Sequence, residues 1–384
     1  MHLLEVEHQP VAHQRLQRAL AFDRSAHAYL FTGPEGVGKQ MLAARFARVL
    51  LCPNPVPFPA PTPADAFDAG PVGEARDACG RCTDCTLMEA GSHPDFHLVY
   101  RALNRFHPDA DVQKRKAVAL SIGVIRHFLI DPVGRRPARG RCKVFVVCDA
   151  DRLSDDAENA LLKTLEEPPP DCYIILLAHS REQVFPTILS RCQVVPFRAL
   201  PPAYVREFLT RRDLPEREAE YLAALSGGQP GFALWAAQFN ILELRGKVEA
   251  FVLQSLLEPM VASKGLRELV RSLGKTVSGQ ESHATSEADA TRTACRLVLA
   301  MIAHVLRAGL RAACGIGFDE GPGRADDRAA RCGERLGPRG SARALHALGR
   351  AEAGLEINVN HALMFDGLTI GLYRSAANPS AAFA

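Results

Sequence analysis

The feature that most restricts how this chain can fold is an apolar run, HAYLFT (His27–Thr32), that leads directly into GPEGVGKQ (Gly33–Gln40) and then into an apolar and basic helical pattern from Met41 to Leu51. The pattern G-x-x-x-x-G-K between a strand and a helix is a phosphate-binding loop. Gly33, Gly36 and Gly38 let backbone N–H groups turn toward phosphate oxygens, and Lys39 reaches the outer phosphates. The same pattern asks for Ser or Thr after the lysine, to hold Mg²⁺, and here stands Gln40. The loop therefore points to an α/β nucleotide-binding fold with an altered metal position.

Four further apolar runs read as buried strands: Phe96–Tyr100, Lys143–Cys148, Cys172–Ala178 and Gln193–Pro196. Helical patterns fall at Gln14–Phe22, Ser121–Leu129, Asp155–Glu167 and Glu182–Ser190. Continuous apolar strands alternating with helices indicate a parallel sheet with helices on both faces. After Leu200 the strands stop, and Pro201–Phe239 reads as short helices around the turn SGGQPG (Ser226–Gly231). From Ile241 onward the chain reads as helical or irregular. A length of 384 residues exceeds one core of roughly 100–200 residues. Three domains are expected, at 1–200, 201–240 and 241–384. Pro53–Gly73, rich in Pro, Ala and Gly, reads as a flexible insertion, and Gly315–Gly340 as a mobile loop.

Composition excludes more than it selects. With 47% hydrophobic and 23% charged residues the chain is an ordinary globular one, and a net charge of +3 does not announce nucleic acid. The N-terminus lacks a secretory pattern, and no run approaches the roughly 18–20 apolar residues of a membrane span. A cytoplasmic protein without membrane contact is expected. Eleven cysteines then call for metal binding or plain burial rather than a disulfide framework.

A second constellation is VFVVCDADRLSDDAENALLKTLEEPP (Val144–Pro169), a hydrophobic strand ending in acidic residues about 100 residues after the loop. Within it NALLKTLEEPP (Asn159–Pro169), followed by PTILSRC (Pro186–Cys192), resembles the signature shared by subunits of the bacterial replicative clamp loader, a pentameric AAA+ assembly. The resemblance covers roughly residues 8–240. It implies an α/β AAA+ domain, a small helical lid at 201–240 and an all-α collar at 241–384. In the gamma subunit, which hydrolyses ATP, the strand ends in Asp-Glu, the Asp organising Mg²⁺ and the Glu activating water. Counting back from Asn159 puts Cys148 at the place of the Asp and Asp149 at the place of the Glu. The other register makes Asp149 the metal-organising residue and leaves Ala150 as the base. Either way one essential group is gone, and a neutral thiol is a poor ligand for Mg²⁺. The lid arginine of ATP-hydrolysing relatives falls on Gly231.

What the motif keeps is Arg191 of Ser190-Arg191-Cys192, which in the family acts in trans on the nucleotide of a neighbouring subunit. The resemblance thus implies a delta-prime-like subunit of the DNA polymerase III clamp loader. It would form a hetero-pentamer with gamma/tau and delta subunits and help load the sliding clamp on primer-template DNA. Gly33, Gly36, Gly38, Lys39, Gln40 and Asp149 would line a site that holds ATP without hydrolysis, if it holds it at all, with little use for Mg²⁺. The rivals are a gamma/tau-like motor with Asp149 as its catalytic carboxylate, and a stand-alone zinc-containing nucleotide sensor.

The third constellation is Cys79, Cys82 and Cys85 in CGRCTDC, with Cys52 at the end of the first helix after the loop. Four thiolates make a closed, structural zinc site, and the family resemblance implies such a module at about 52–85. An iron–sulfur cluster uses similar spacing. Because the gap from Cys52 to Cys79 is long and Pro-rich, His93 is an alternative fourth ligand.

Overall fold

The computed structural model describes residues 6–21, 25–58, 75–114, 119–139, 141–280, 287–316, 327–356 and 359–377. Contacts divide the chain into two units, 1–200 and 201–384. The first opens with α1 (Pro10–Ala21), β1 (Ala28–Thr32), α2 (Lys39–Leu51), β2 (Val56–Phe58), β3 (Ala75–Asp77), α3 (Thr83–Glu89) and β4 (Phe96–Val99). A 3₁₀ segment (Arg101–Phe106), α4 (Ala110–Gln113), α5 (Ile122–Ile125), a π turn (Arg126–Ile130) and α6 (Asp131–Val133) lead to β5 (Lys143–Val147). It closes with α7 (Asp155–Glu166), β6 (Cys172–Ala178), α8 (Pro186–Leu189) and β7 (Gln193–Pro196).

Five of these strands form one parallel sheet in the order β4-β5-β6-β1-β7. All residues of β1 and β5 are buried, as expected of strands covered on both faces. Leu30, Phe145, Ile174 and Leu176 of the strands share one core with Leu129, Leu161 and Leu165 of the helical segments. Each such side chain contributes about 1.5–3 kcal/mol on full burial. The register sets Thr32 opposite Ala178 and Val147 opposite Leu176, so β1, β5 and β6 end nearly level. Their outgoing loops share the carboxyl edge of the sheet, where open α/β folds place ligands. α7, which carries the NALLK motif, starts at Ser154, whose hydroxyl accepts from the Ala157 amide. Asp155, Asp156 and Glu158 in its first turn favour the positive end of the helix dipole.

The regular elements described in the second unit are all helices: α9 (Pro202–Thr210), α10 (Glu216–Leu225), α11 (Pro230–Ala236), α12 (Ile241–Ser255), α13 (Pro259–Gln280), α14 (Glu287–Ala313), α15 (Asp327–Glu356) and α16 (His361–Ala377). Asn240 separates the three short helices from the longer ones. α14 is long and apolar enough to cross a membrane, but its apolar stretch is mostly buried among its neighbours in this unit. Leu297, Val298, Met301 and Ile302 are fully covered.

Three local expectations are corrected. The insertion after Pro53 begins with a strand, Val56–Phe58, paired antiparallel with Ala75–Asp77, while residues 59–74 lie outside the described residues. The stretch expected to be a mobile loop, Gly315–Gly340, is helical from Asp327 onward, and residues 317–326 lie outside the described residues. Ala329, Cys332 and Leu336 recur at helical spacing and are buried, a stripe hidden by the Gly, Arg and Asp residues around it. That helix kinks at Gly337 (φ 62°), just before Pro338. The helix expected over Glu182–Ser190 shrinks to Pro186–Leu189, because a residue before proline disfavours the helical region.

Candidate functional site

The phosphate loop leaves β1 and turns into α2. Gly33 has φ +144°, and a Cβ there would sit 2.4 Å from the Phe197 carbonyl oxygen, so no other residue fits. Gly36 also has positive φ. Gly38, at φ 97°, is the left-handed residue from which α2 starts. Lys39 is nearly buried. Its ammonium folds back to donate to the carbonyl oxygens of Gly33 and Pro34, the latter at 2.6 Å. Burial brings it down from 10.5 to about 8, against the opposing field of Glu35, Asp151 and Asp149.

The metal side of the site is the altered one. Gln40, exposed at the start of α2, and Cys148, just past β5, face each other with Cys148 Sγ 4.0 Å from Gln40 Oε1. Of the two registers weighed for the acidic strand end, it is Cys148 that points at the residue after the loop lysine. Burial raises its thiol to about 12, so it is neutral at physiological pH. Asp149 sits in the left-handed region (φ 57°) and accepts a 2.8 Å hydrogen bond from Arg101 Nε. Gly231 lies exposed in the first turn of α11, in the second unit.

Sequence reasoning missed a cluster at the same sheet edge. His179, the residue after β6, pairs with Asp151 through Nδ1 at 3.1 Å, and its Nε2 lies 3.5 Å from Glu35 of the phosphate loop. Asp151 also accepts from the His179 amide at 3.2 Å. Hydrogen bonds to Asp151 first, then Glu35, outweigh burial and raise His179 from 6.5 to about 9. A raised folded-state value means that this contribution to stability is complete below about pH 6.5 and is lost as pH climbs through about 9. The His179 ring signal in an NMR titration is accordingly expected to move with a midpoint near 9, and Asp151→Asn to return it toward 6.5. A native midpoint at 6.5 would contradict this geometry.

Arg191 follows α8 on a base built from α7. Glu158, buried near the start of α7, accepts from the Thr187 hydroxyl, and Ile188 is fully buried beneath. The Arg191 guanidinium donates from Nη1 to Thr187 O (2.9 Å) and Ser190 Oγ (3.1 Å), and from Nη2 to the Glu166 carboxylate. About a third of the side chain remains exposed. Thus α7 and the segment after α8, the two motifs read in the sequence, meet at this arginine.

The four cysteines converge at a third place. Cys52 caps the end of α2, Cys79 follows β3, Cys82 is the N-cap of α3, and Cys85 lies in its first turn. Their sulfurs all lie within 4.8 Å of one another, with Cys52–Cys82 at 3.9 Å and Cys79–Cys85 at 4.0 Å. A tetrahedral Zn²⁺ with bonds of about 2.3 Å needs sulfurs about 3.8 Å apart, so the donor set fits. The amides of Cys79 and Cys85 point at the sulfurs of Cys52 and Cys82, each at 3.4 Å. His93 is not part of the cluster. Its Nδ1 accepts from the Asp95 amide at 3.1 Å and its Nε2 lies 3.2 Å from Asp84 Oδ1, which leaves no lone pair for a metal. Pairing of Val56 with Asp77 sets the chain that follows Cys52 beside the chain that leads to Cys79.

Comparison with known proteins matches residues 8–201, just over half of the chain, to the family model described as DNA polymerase III, delta subunit. The DNA polymerase III subunit delta' of Pseudomonas aeruginosa is 34% identical over 63% of this chain and 65% of its own length. That of Bacillus subtilis is 28% identical over 63% of each chain. The DNA polymerase III subunit tau/gamma of Haemophilus influenzae is 31% identical, over 52% of this chain and 25% of its own length. The matches thus span just under two thirds of the delta' relatives.

Proposed function

The chain belongs to the DNA polymerase III, delta subunit, family, and from that premise we propose that it is a delta-prime-like clamp-loader subunit that supplies Arg191 to the ATP site of a neighbour rather than hydrolysing ATP itself. The observation that carries the reading is Gln40 and Cys148 in contact, a neutral amide and a neutral thiol where hydrolases hold Mg²⁺. Magnesium neutralises the charge that develops on the leaving phosphate, and this pair offers no anionic oxygen to hold it. Asp149 is tied to Arg101, and Gly231 carries no side chain to reach a phosphate. What the loop retains is the part that cradles phosphate: Gly33, Gly36, Gly38 and Lys39.

On this reading the first unit is the AAA+ domain, residues 201–240 the lid and 241–384 the collar of a cytoplasmic hetero-pentamer with gamma/tau and delta subunits. That assembly acts on the sliding clamp and primer-template DNA. Cys52, Cys79, Cys82 and Cys85 hold a structural zinc, which joins the end of α2 to α3. The competing reading is a gamma/tau-like motor. The isolated chain decides between them: steady-state turnover of Mg·ATP is expected to be at background and unchanged by Lys39→Ala. Turnover that disappears in Lys39→Ala would establish the motor instead.

A further inference from the structure

An arginine that must meet a neighbour's phosphate loses much rotamer freedom when the contact immobilises its long side chain. In this chain part of that loss is already met. Three acceptors hold the guanidinium from behind: Thr187 O and Ser190 Oγ on Nη1, and the Glu166 carboxylate on Nη2. The backbone is held as well, since the Arg191 amide donates to Ile188 O at 3.0 Å and Ile188 is fully buried. Nε and the second Nη2 hydrogen have no acceptor among the described residues, and the side chain keeps about a third of its surface open. Two parallel donors on an open side are what a phosphate oxygen pair accepts.

Of the three acceptors, Glu166 alone carries charge. It is the last residue of α7, ahead of Glu167 and the prolines Pro168 and Pro169 that end the helix. α7 is itself braced to the Arg191 segment by the buried Glu158 against Thr187. Glu166 is half exposed, so the pair adds little to folding stability. Its value lies in direction: it fixes where Nη2 points. We infer that Glu166 is a positioning residue for Arg191, holding the guanidinium in the orientation in which it meets the neighbouring subunit's nucleotide. This rests on the trans-arginine reading above.

The test is a double-mutant cycle in the reconstituted clamp loader, using gamma/tau and delta subunits of the same organism. Arg191-dependent turnover is the ATPase of the ring with the native chain less that with Arg191→Ala. Glu166→Ala is expected to lower this quantity roughly three- to ten-fold in kcat, with KM for ATP unchanged, and Glu166→Asp to recover part of it. In the Arg191→Ala background Glu166→Ala is expected to change nothing further, which a general weakening of fold or assembly would not reproduce. Equal incorporation of each variant into the ring is checked by gel filtration. Unchanged or increased Arg191-dependent turnover in Glu166→Ala, or equal losses in both backgrounds, would overturn the inference while leaving the trans arginine standing. No Arg191-dependent turnover at all would remove the trans arginine, and Glu166 with it.

Discussion

Stripping zinc from the four-cysteine cluster, or replacing Cys85 by serine, is expected to cost the first unit more than about 4 kcal/mol of stability, the range in which loss of a metal site falls. Cys85 is fully buried in the first turn of α3, and Cys52 is fully buried at the end of α2. The sulfurs of these two and of Cys79 and Cys82 lie within 4.8 Å of one another, so a bound cation would link all four segments at one point. On the proposed zinc reading the metal would tie the end of α2 to the start of α3. From there the restraint passes to the sheet, because Asp84 of α3 pairs with His93 and Arg139, and Asp95 accepts from the amides of Ala138 and Arg139. Burial pushes the Asp84 carboxyl up, but the hydrogen bonds from Arg139 and His93 leave it below its usual range. Differential scanning calorimetry should therefore show the first transition falling by about 8–16 °C on metal removal, at about 2–4 °C per kcal/mol for a unit of this size. Metal analysis should find one zinc per native chain and none in Cys85→Ser. A metal-free native chain, or a transition indifferent to chelator and to Cys85→Ser, would contradict the site.

How much of this was legible in the sequence depends on the range of the signal. The phosphate loop, the five sheet strands and the cysteine triplet are local patterns, and each folds locally as its spacing suggests, since glycine at positive φ and apolar runs of four to seven residues encode their own geometry. The place of Cys52 is not legible in the sequence because 26 residues separate it from Cys79, and the β2–β3 pairing that brings the two ends together is long-range. The pairings that define the chemistry were invisible. Arg101 and Asp149 are 48 residues apart, and Glu166 and Arg191 are 25 apart. His179 meets Glu35 only because β6 lies beside β1 and ends level with it. Charged residues at such separations carry no periodicity, so nothing in the chain marks them as partners before the sheet order is known. The helical stripe of Ala329, Cys332 and Leu336 escaped for another reason: its small and polar neighbours have the composition of a loop.

The central claim is that this chain acts on ATP held by another subunit, and Arg191→Ala in the reconstituted ring tests it most directly. Removing an arginine that stabilises the departing γ-phosphate costs roughly 10³–10⁵ in rate at the site it serves. The site bordered by this chain should therefore fall silent, while sites not bordered by it continue. Arg191→Lys should not rescue it, because an ammonium cannot reproduce the fork of the guanidinium. The chain itself should remain folded, since the side chain is partly exposed and its partner Glu166 is returned to water. The measurement is steady-state ATPase and clamp loading on primed DNA by rings containing either the native chain or Arg191→Ala, at equal subunit incorporation. The account predicts that the variant ring loses the whole share of turnover at that site and loads clamps poorly. Identical turnover and loading by the two rings would contradict it.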